Sequence, residues 1–150
     1  MVLEIGQDIY DAIVAHAKRD HPHEACGVVA GPEGSDSPGR FVPMVNAAAS
    51  ATFYEFDPTD LLQLYRDMDA RGEEPVVIYH SHTATEAYPS RTDIGLAQEP
   101  SAHYVLVSTR THGNSPGPVE FRSYRIVEGT VTEDEVVVVN RSEQTAEQRR

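Results

Sequence analysis

The chain has 150 residues, 39% of them hydrophobic and 24% charged, which suits one globular domain able to bury its own core. Twelve Lys and Arg stand against 24 Asp and Glu, and the formal charge of -12 argues against nucleic acid or an anionic lipid surface as partner. No run approaches the ~18 apolar residues of a membrane span, no basic-then-apolar leader opens the chain, and the lone Cys26 cannot form an internal disulfide; the expectation is a cytoplasmic protein with no membrane attachment.

In chain order, Gln7 to Ala17 sets Ile9, Ile13, Val14 and Ala17 on one side at helical spacing and predicts a helix packed on a sheet. His16, His21 and His23 lie at or beyond its end, where Asp20 and Pro22 mark a surface loop, so His21 and His23 read as loop residues and not as a metal pair. His23-Glu24 is not a zincin motif either, since Gly27 stands where that helix motif needs its second His. The run after Glu24, Cys26 to Ala30, reads as a strand. Cys26 has no Lys, Arg or His beside it to depress its pKa, so a buried, inert thiol is expected.

Gly31 to Arg40, rich in Gly, Pro and Ser, reads as a hairpin loop; it lacks the Gly-Lys-Ser/Thr ending of a phosphate cradle. Phe41 to Val45 is expected as a strand whose Pro43 suits an edge or a bulge, and Thr52 to Phe56 resumes an extended pattern. Asp57-Pro58-Thr59-Asp60 is a helix start: Asp57 can cap free amides, Pro58 suits the first turn, and Asp60 complements the dipole. Leu61, Leu62, Leu64, Tyr65 and Met68 form that helix's apolar face and Gly72 its end.

The stretch from Val76 to Asp93 carries the chemistry. A β-branched apolar run after Pro75 predicts a buried strand, and in extended backbone side chains at i and i+2 share a side, so His80 and His82 can converge on one ion. With Asp93 they make three ligands, the number that leaves a tetrahedral zinc one open position for water. A structural zinc site normally needs four ligands, mostly thiolates, and one cysteine cannot supply them. A base must then take the water's proton, and Glu24 is the candidate, provided its strand neighbours that of His80 and His82. Between the ligands, Thr83 to Pro89 reads as a polar loop in which Glu86 is a solvated carboxylate. Ser90-Arg91-Thr92-Asp93 has the spacing of a capping box.

Further on, His103 to Ser108 predicts a strand, and Val119 to Val127 with Val131 to Val139 a hairpin about Glu128-Gly129. His103 and His112 read as structural and surface residues. Arg141 to Arg150 has almost no apolar content and is expected as a disordered tail, leaving residues 1–140 as the domain.

Glu24 in Pro-x-Glu-x-Cys-Gly, then His80-Ser81-His82, seven residues, Ser90, two residues and Asp93, resembles the JAMM (MPN+) metalloproteases. The resemblance runs from Ile5 to about Asn140 and is nearest the short bacterial Mec-type members. It implies a single α/β domain, a mixed sheet flanked by helices in a cytidine-deaminase-like architecture, with zinc on His80, His82 and Asp93. Glu24 would be the general base and Ser90 the donor to the oxyanion. The implied substrate is a ubiquitin-like sulfur-carrier protein with a Gly-Gly tail, from which cysteine is released. Other bonds after such a tail would suit the same centre, as in an isopeptidase or a carrier-maturing peptidase. Two His and one carboxylate also form the facial triad of non-haem iron oxygenases, and degenerate members of the fold serve as scaffolds without catalysis. A deaminase is disfavoured, because its Pro-Cys-x-x-Cys element cannot exist with one cysteine. For the tail, the segment from Phe53 to Phe56 is expected to offer an exposed edge to which it could add as a strand.

Overall fold

The computed structural model describes residues 1–140; the tail expected from Arg141 to Arg150 lies outside the described residues. The elements are β1 Val2–Gly6, α1 Gln7–Asp20, β2 Cys26–Pro32, β3 Arg40–Met44, α2 Pro58–Arg71, β4 Glu73–His82, α3 Arg91–Leu96, β5 His103–Ser108, β6 Glu120–Val127 and β7 Thr130–Val139. The strands form one mixed sheet of seven in the order β1-β7-β6-β5-β4-β2-β3. β1 runs parallel to β7 and β4 parallel to β5; the remaining neighbours are antiparallel.

Two apolar layers follow from the alternation along the central strands. On one face α1 packs Ile9, Ile13 and Ala17 against Leu3, Ile5, Val77, Tyr79, Val105 and Val107. On the other, α2 sets Leu64 and Met68 against Val28, Ile78, Tyr104 and Leu106. β4 alternates between these layers with one irregularity. Val29 pairs with Val77 but Ala30 with Pro75, so Val76 is the extra residue of a bulge, and consecutive Val76 and Val77 both bury on the α1 side. Downstream of the bulge the alternation places Ile78 in the α2 layer, and His80 and His82 follow at i+2 and i+4.

Several expectations need correcting. The first element expected is a helix, whereas β1 precedes α1 and buries Leu3 and Ile5. The first helix continues to Asp20, so His16 lies inside it and is buried, bonded by Nδ1 to the Tyr79 hydroxyl at 2.6 Å. Thr52 to Phe56 is not a strand: only a single bridge joins Phe56 to Asn46. Without a ladder the segment offers no sheet edge for an added strand. The helix start at Asp57 stands as expected, its carboxylate accepting from the amides of Thr59 and Asp60.

Candidate metal centre

β4 and β5 are parallel, and the connection between them leaves and returns at the sheet's centre, the place where open α/β sheets present ligand sites. His80 and His82 end β4, and the turn after them leads to α3. Ser90 caps that short helix: its Oγ accepts from the Asp93 amide at 3.1 Å while Asp93 Oδ2 accepts from the Ser90 amide at 2.8 Å. The reciprocal pair fixes the Asp93 side chain. Its Oδ2 then lies 3.1 Å from His80 Nε2 and 3.1 Å from His82 Nε2.

Donors about 2.1 Å from a tetrahedral ion sit about 3.4 Å from one another; the two Asp93 distances fall just short of that, and all three ligand atoms lie within 4.8 Å of one another. The condition of His80 argues the same way. It is 3% exposed, and neither of its ring nitrogens has a hydrogen-bond partner, because the Asp93 oxygen near Nε2 is off the line a hydrogen bond requires. Leaving such a nitrogen unsatisfied is costly, and a cation at Nε2 removes the cost. At His82, Nδ1 is 2.9 Å from the Glu86 carbonyl. A carbonyl only accepts, so Nδ1 carries the proton and Nε2 is the atom turned toward the cluster. The Glu86 carboxylate is exposed, as expected for a loop residue; its backbone does the work. The loop itself is pinned from below, Ser108 Oγ donating to Thr85 O at 2.6 Å and the Tyr124 hydroxyl to Ala87 O at 2.5 Å.

Glu24 reaches the same place by strand pairing. Cys26 pairs with His80, and the next step outward is closed by Ser81 N to Ala25 O at 3.0 Å and Ala25 N to Ser81 Oγ at 2.8 Å. Continuing that register sets Glu24 across from His82. The Glu24 residue is 5% exposed, and burial, opposed by His82 and aided by Asp93, pushes its carboxyl up to about 7. Burial also drives His80 toward its neutral form. At Asp93 burial is outweighed by the contacts from His80 and His82, which hold the carboxyl far below the usual carboxylate range. Burial of His82 is likewise outweighed, by Asp93 and the Glu86 carbonyl, so its pKa is raised.

All five residues expected for the site therefore converge: His80 and His82 at the end of β4, Ser90 and Asp93 at the start of α3, and Glu24 just ahead of β2. Two neighbours escaped the sequence reading. Tyr54 stacks on His80 with ring centroids 4.4 Å apart, and Asn46 bonds to the Glu24 carbonyl at 3.0 Å. The aromatic cluster from Phe53 to Phe56 was visible, but nothing local says which ring meets a histidine of β4. Tyr54 also begins a groove of about 500 Å³ whose walls include Phe53, Phe56, Leu61, Tyr65 and Leu96. Leu62 and Tyr65 are exposed and Tyr65 lines this groove, so part of the apolar face expected of α2 is not core.

Residues 6–127 match the family described as prokaryotic homologs of the JAB domain. The chain belongs to the JAB/JAMM family. Among JAMM relatives, the CysO-cysteine peptidase of Mycobacterium tuberculosis (strain ATCC 25618 / H37Rv) is 63% identical over 138 residues, 92% of each chain. The Desampylase of Haloferax volcanii is 35% identical over 115 residues, covering 71% of this chain and 80% of that one. A solved JAB1/MPN domain protein from Archaeoglobus fulgidus aligns with a TM-score of 0.55 at 20% identity, over 91% of this chain and 98% of that one, and shares the fold. A JAMM fold thus carries the His80, His82 and Asp93 cluster at the centre of its sheet.

Proposed function

We propose that this chain is a zinc-dependent peptidase that cleaves the bond after the C-terminal Gly-Gly of a ubiquitin-like sulfur-carrier protein and releases cysteine. The observation that carries the reading is the pairing of β2 with β4, which brings a buried carboxylate, Glu24, to a cluster of two imidazoles and one carboxylate. The relative named CysO-cysteine peptidase supports the same substrate class through 63% identity over 92% of the chain.

His80 Nε2, His82 Nε2 and an oxygen of Asp93 would hold the zinc; three protein ligands are the complement of a catalytic site. Bound there, zinc supplies Lewis acidity and lowers the pKa of water. Glu24, its carboxyl raised toward neutrality, takes up a proton as the nucleophile forms and returns it to the departing amine nitrogen. The Ser90 hydroxyl accepts from the Asp93 amide and keeps its own proton free to donate to the oxyanion. The groove bounded by Tyr54 and Phe56 would take the extended tail. Glycines at the tail's end suit such an approach, because they add no side chain between the backbone and the stacked ring of Tyr54. A buried, free Cys26 fits a reducing, cytoplasmic setting, and cysteine release would make the reaction a terminal step of cysteine biosynthesis.

The test is the intact mass of a carrier ending in Gly-Gly-Cys before and after incubation with the zinc-loaded protein. Loss of one cysteinyl residue is the expected result, and an unchanged mass overturns the assignment. A second reading, cleavage of isopeptide bonds, is favoured by the likeness to the Haloferax volcanii Desampylase. Carriers ending in Gly-Gly-Cys, in Gly-Gly with a longer peptide, and in a Gly-Gly isopeptide separate the two by relative kcat/KM.

A further inference from the structure

Asn46 lies in the loop between β3 and α2, outside every element, and its carboxamide makes four hydrogen bonds. Nδ2 donates to the carbonyls of Glu24, at 3.0 Å, and Phe53, at 2.9 Å. Oδ1 accepts from the amides of Ala48, at 3.0 Å, and Glu55, at 3.1 Å. Two donors and two lone pairs are all that a carboxamide offers, so the side chain is saturated, and its orientation is forced by carbonyls on one side and amides on the other. The Phe53 carbonyl and the Glu55 amide flank Tyr54, whose ring stacks on His80.

Ahead of the β2 ladder, which begins at Cys26, β4 reaches this peptide through the Ala25 amide, which donates to Ser81 Oγ, and Glu24 itself lies outside the ladder. Its carbonyl accepts from Asn46 and its amide donates to Ser50 O at 2.8 Å, both within the same loop. The loop is braced at its far side by Ala47 N to Glu55 O at 2.8 Å and by the Thr83 hydroxyl, one residue beyond His82, to Ala51 O at 3.0 Å.

We propose that Asn46 is a positioning residue for the reaction: a single carboxamide bonds the Glu24 carbonyl and the peptides on either side of Tyr54, and so sets the base relative to the ring stacked on His80. This rests on the functional reading above, in which Glu24 is the base. Asn46→Asp keeps the shape and both accepting bonds but turns a carboxylate oxygen toward two carbonyls. Asn46→Ala removes all four bonds. None of the three candidate metal ligands bonds to Asn46, so either variant should still bind zinc.

The experiment combines three readouts. Zinc per chain by mass spectrometry should stay at the wild-type ratio in both variants. On a Gly-Gly-Cys carrier, kcat should fall by about 10²-fold, the scale of loss for a reacting group misplaced by about 1 Å. In a Glu24→Asp background, where the carboxylate is already withdrawn, Asn46→Ala should cost much less than it does alone. Equal fold losses in both backgrounds would mean general loosening and overturn the proposal, as would full turnover in Asn46→Ala. Amide hydrogen exchange is read on the same variants without any substrate. Faster exchange at Glu24, whose amide bonds to Ser50 and not to Asn46, with β5 unchanged, supports the proposal; an unchanged Glu24 amide overturns it. If wild-type protein leaves the carrier intact, the substrate assignment fails, and the exchange data still decide whether Asn46 holds Glu24.

Discussion

Cys26 begins β2 and Glu24 stands two residues ahead of it; both are buried and are driven to opposite uses. Burial, with Asp20 and Glu24 nearby, pushes the Cys26 thiol up to about 12, leaving it protonated and inert at neutral pH. The same burial brings the Glu24 carboxyl to about 7, where a group can both take and give a proton. Glu24→Gln keeps the shape and the three ligands, so we expect unchanged zinc content with kcat lowered by about 10²- to 10⁴-fold, measured on the Gly-Gly-Cys carrier. The histidines set the pH dependence of metal binding. His80 is held toward neutrality by burial and Asp93 is ionised throughout, whereas His82 has its pKa raised and is the ligand that gains a proton first on acidification. Zinc must displace that proton, so affinity is full above the raised His82 value and falls below it, by about tenfold per pH unit for one proton. Zinc titrations against a competing chelator at several pH values read this slope directly; a flat profile from weakly alkaline to weakly acidic pH would contradict it.

At the level of elements, α3 does two jobs with one residue at its start. Ser90 satisfies the Asp93 amide, and its hydroxyl proton faces the chemistry in the proposed mechanism. Ser90→Ala separates these jobs by size. Loss of a cap costs about 1 kcal/mol, a shift of only a few degrees in Tm, while loss of an oxyanion donor costs about 10²- to 10³-fold in kcat. Melting and kinetics on the one variant should therefore show a small thermal change beside a large kinetic one. What could be read from the sequence divides along the same line of local against distant. The capping box, the Asp57 helix start and the His80 and His82 pair are set by neighbours within a few residues, and each stands as expected. β1 was missed because its five residues show only a short alternation, and its strand character comes from β7, at the other end of the chain. Thr52 to Phe56 has strand residues without a strand to pair with, since Asn46 takes up the Phe53 carbonyl and the Glu55 amide. Tyr54 belongs to the site only because that loop folds over β4, a relation no spacing reveals.

Across the whole molecule, the candidate ligands come from unequal supports. His80 and His82 end a strand buried between two apolar layers, and their backbone is held by β2 on one side and β5 on the other. Asp93 sits on a six-residue helix none of whose residues is fully buried, tied to the rest by Ile94 at the edge of the α2-side core and by the contacts of Asp93 with the two imidazoles. An ion shared by the three side chains thus fastens a short surface helix to a strand paired on both sides. Both apolar layers are complete without it, so the metal-free protein is expected to stay folded. Binding to the folded chain alone stabilises by about 2.7 kcal/mol at a free zinc concentration of 100 Kd, which for a domain of this size is roughly 5–10 °C in Tm. Chelation should therefore lower Tm by that amount without abolishing a cooperative transition, as calorimetry would show. Hydrogen exchange resolves where the loss falls: the amides from Ser90 to Leu96 should speed up on chelation, while those of β5 should not. Equal acceleration in β5 would mean that the ion supports the sheet itself, and the division into a self-sufficient scaffold and a metal-fastened helix would have to be given up.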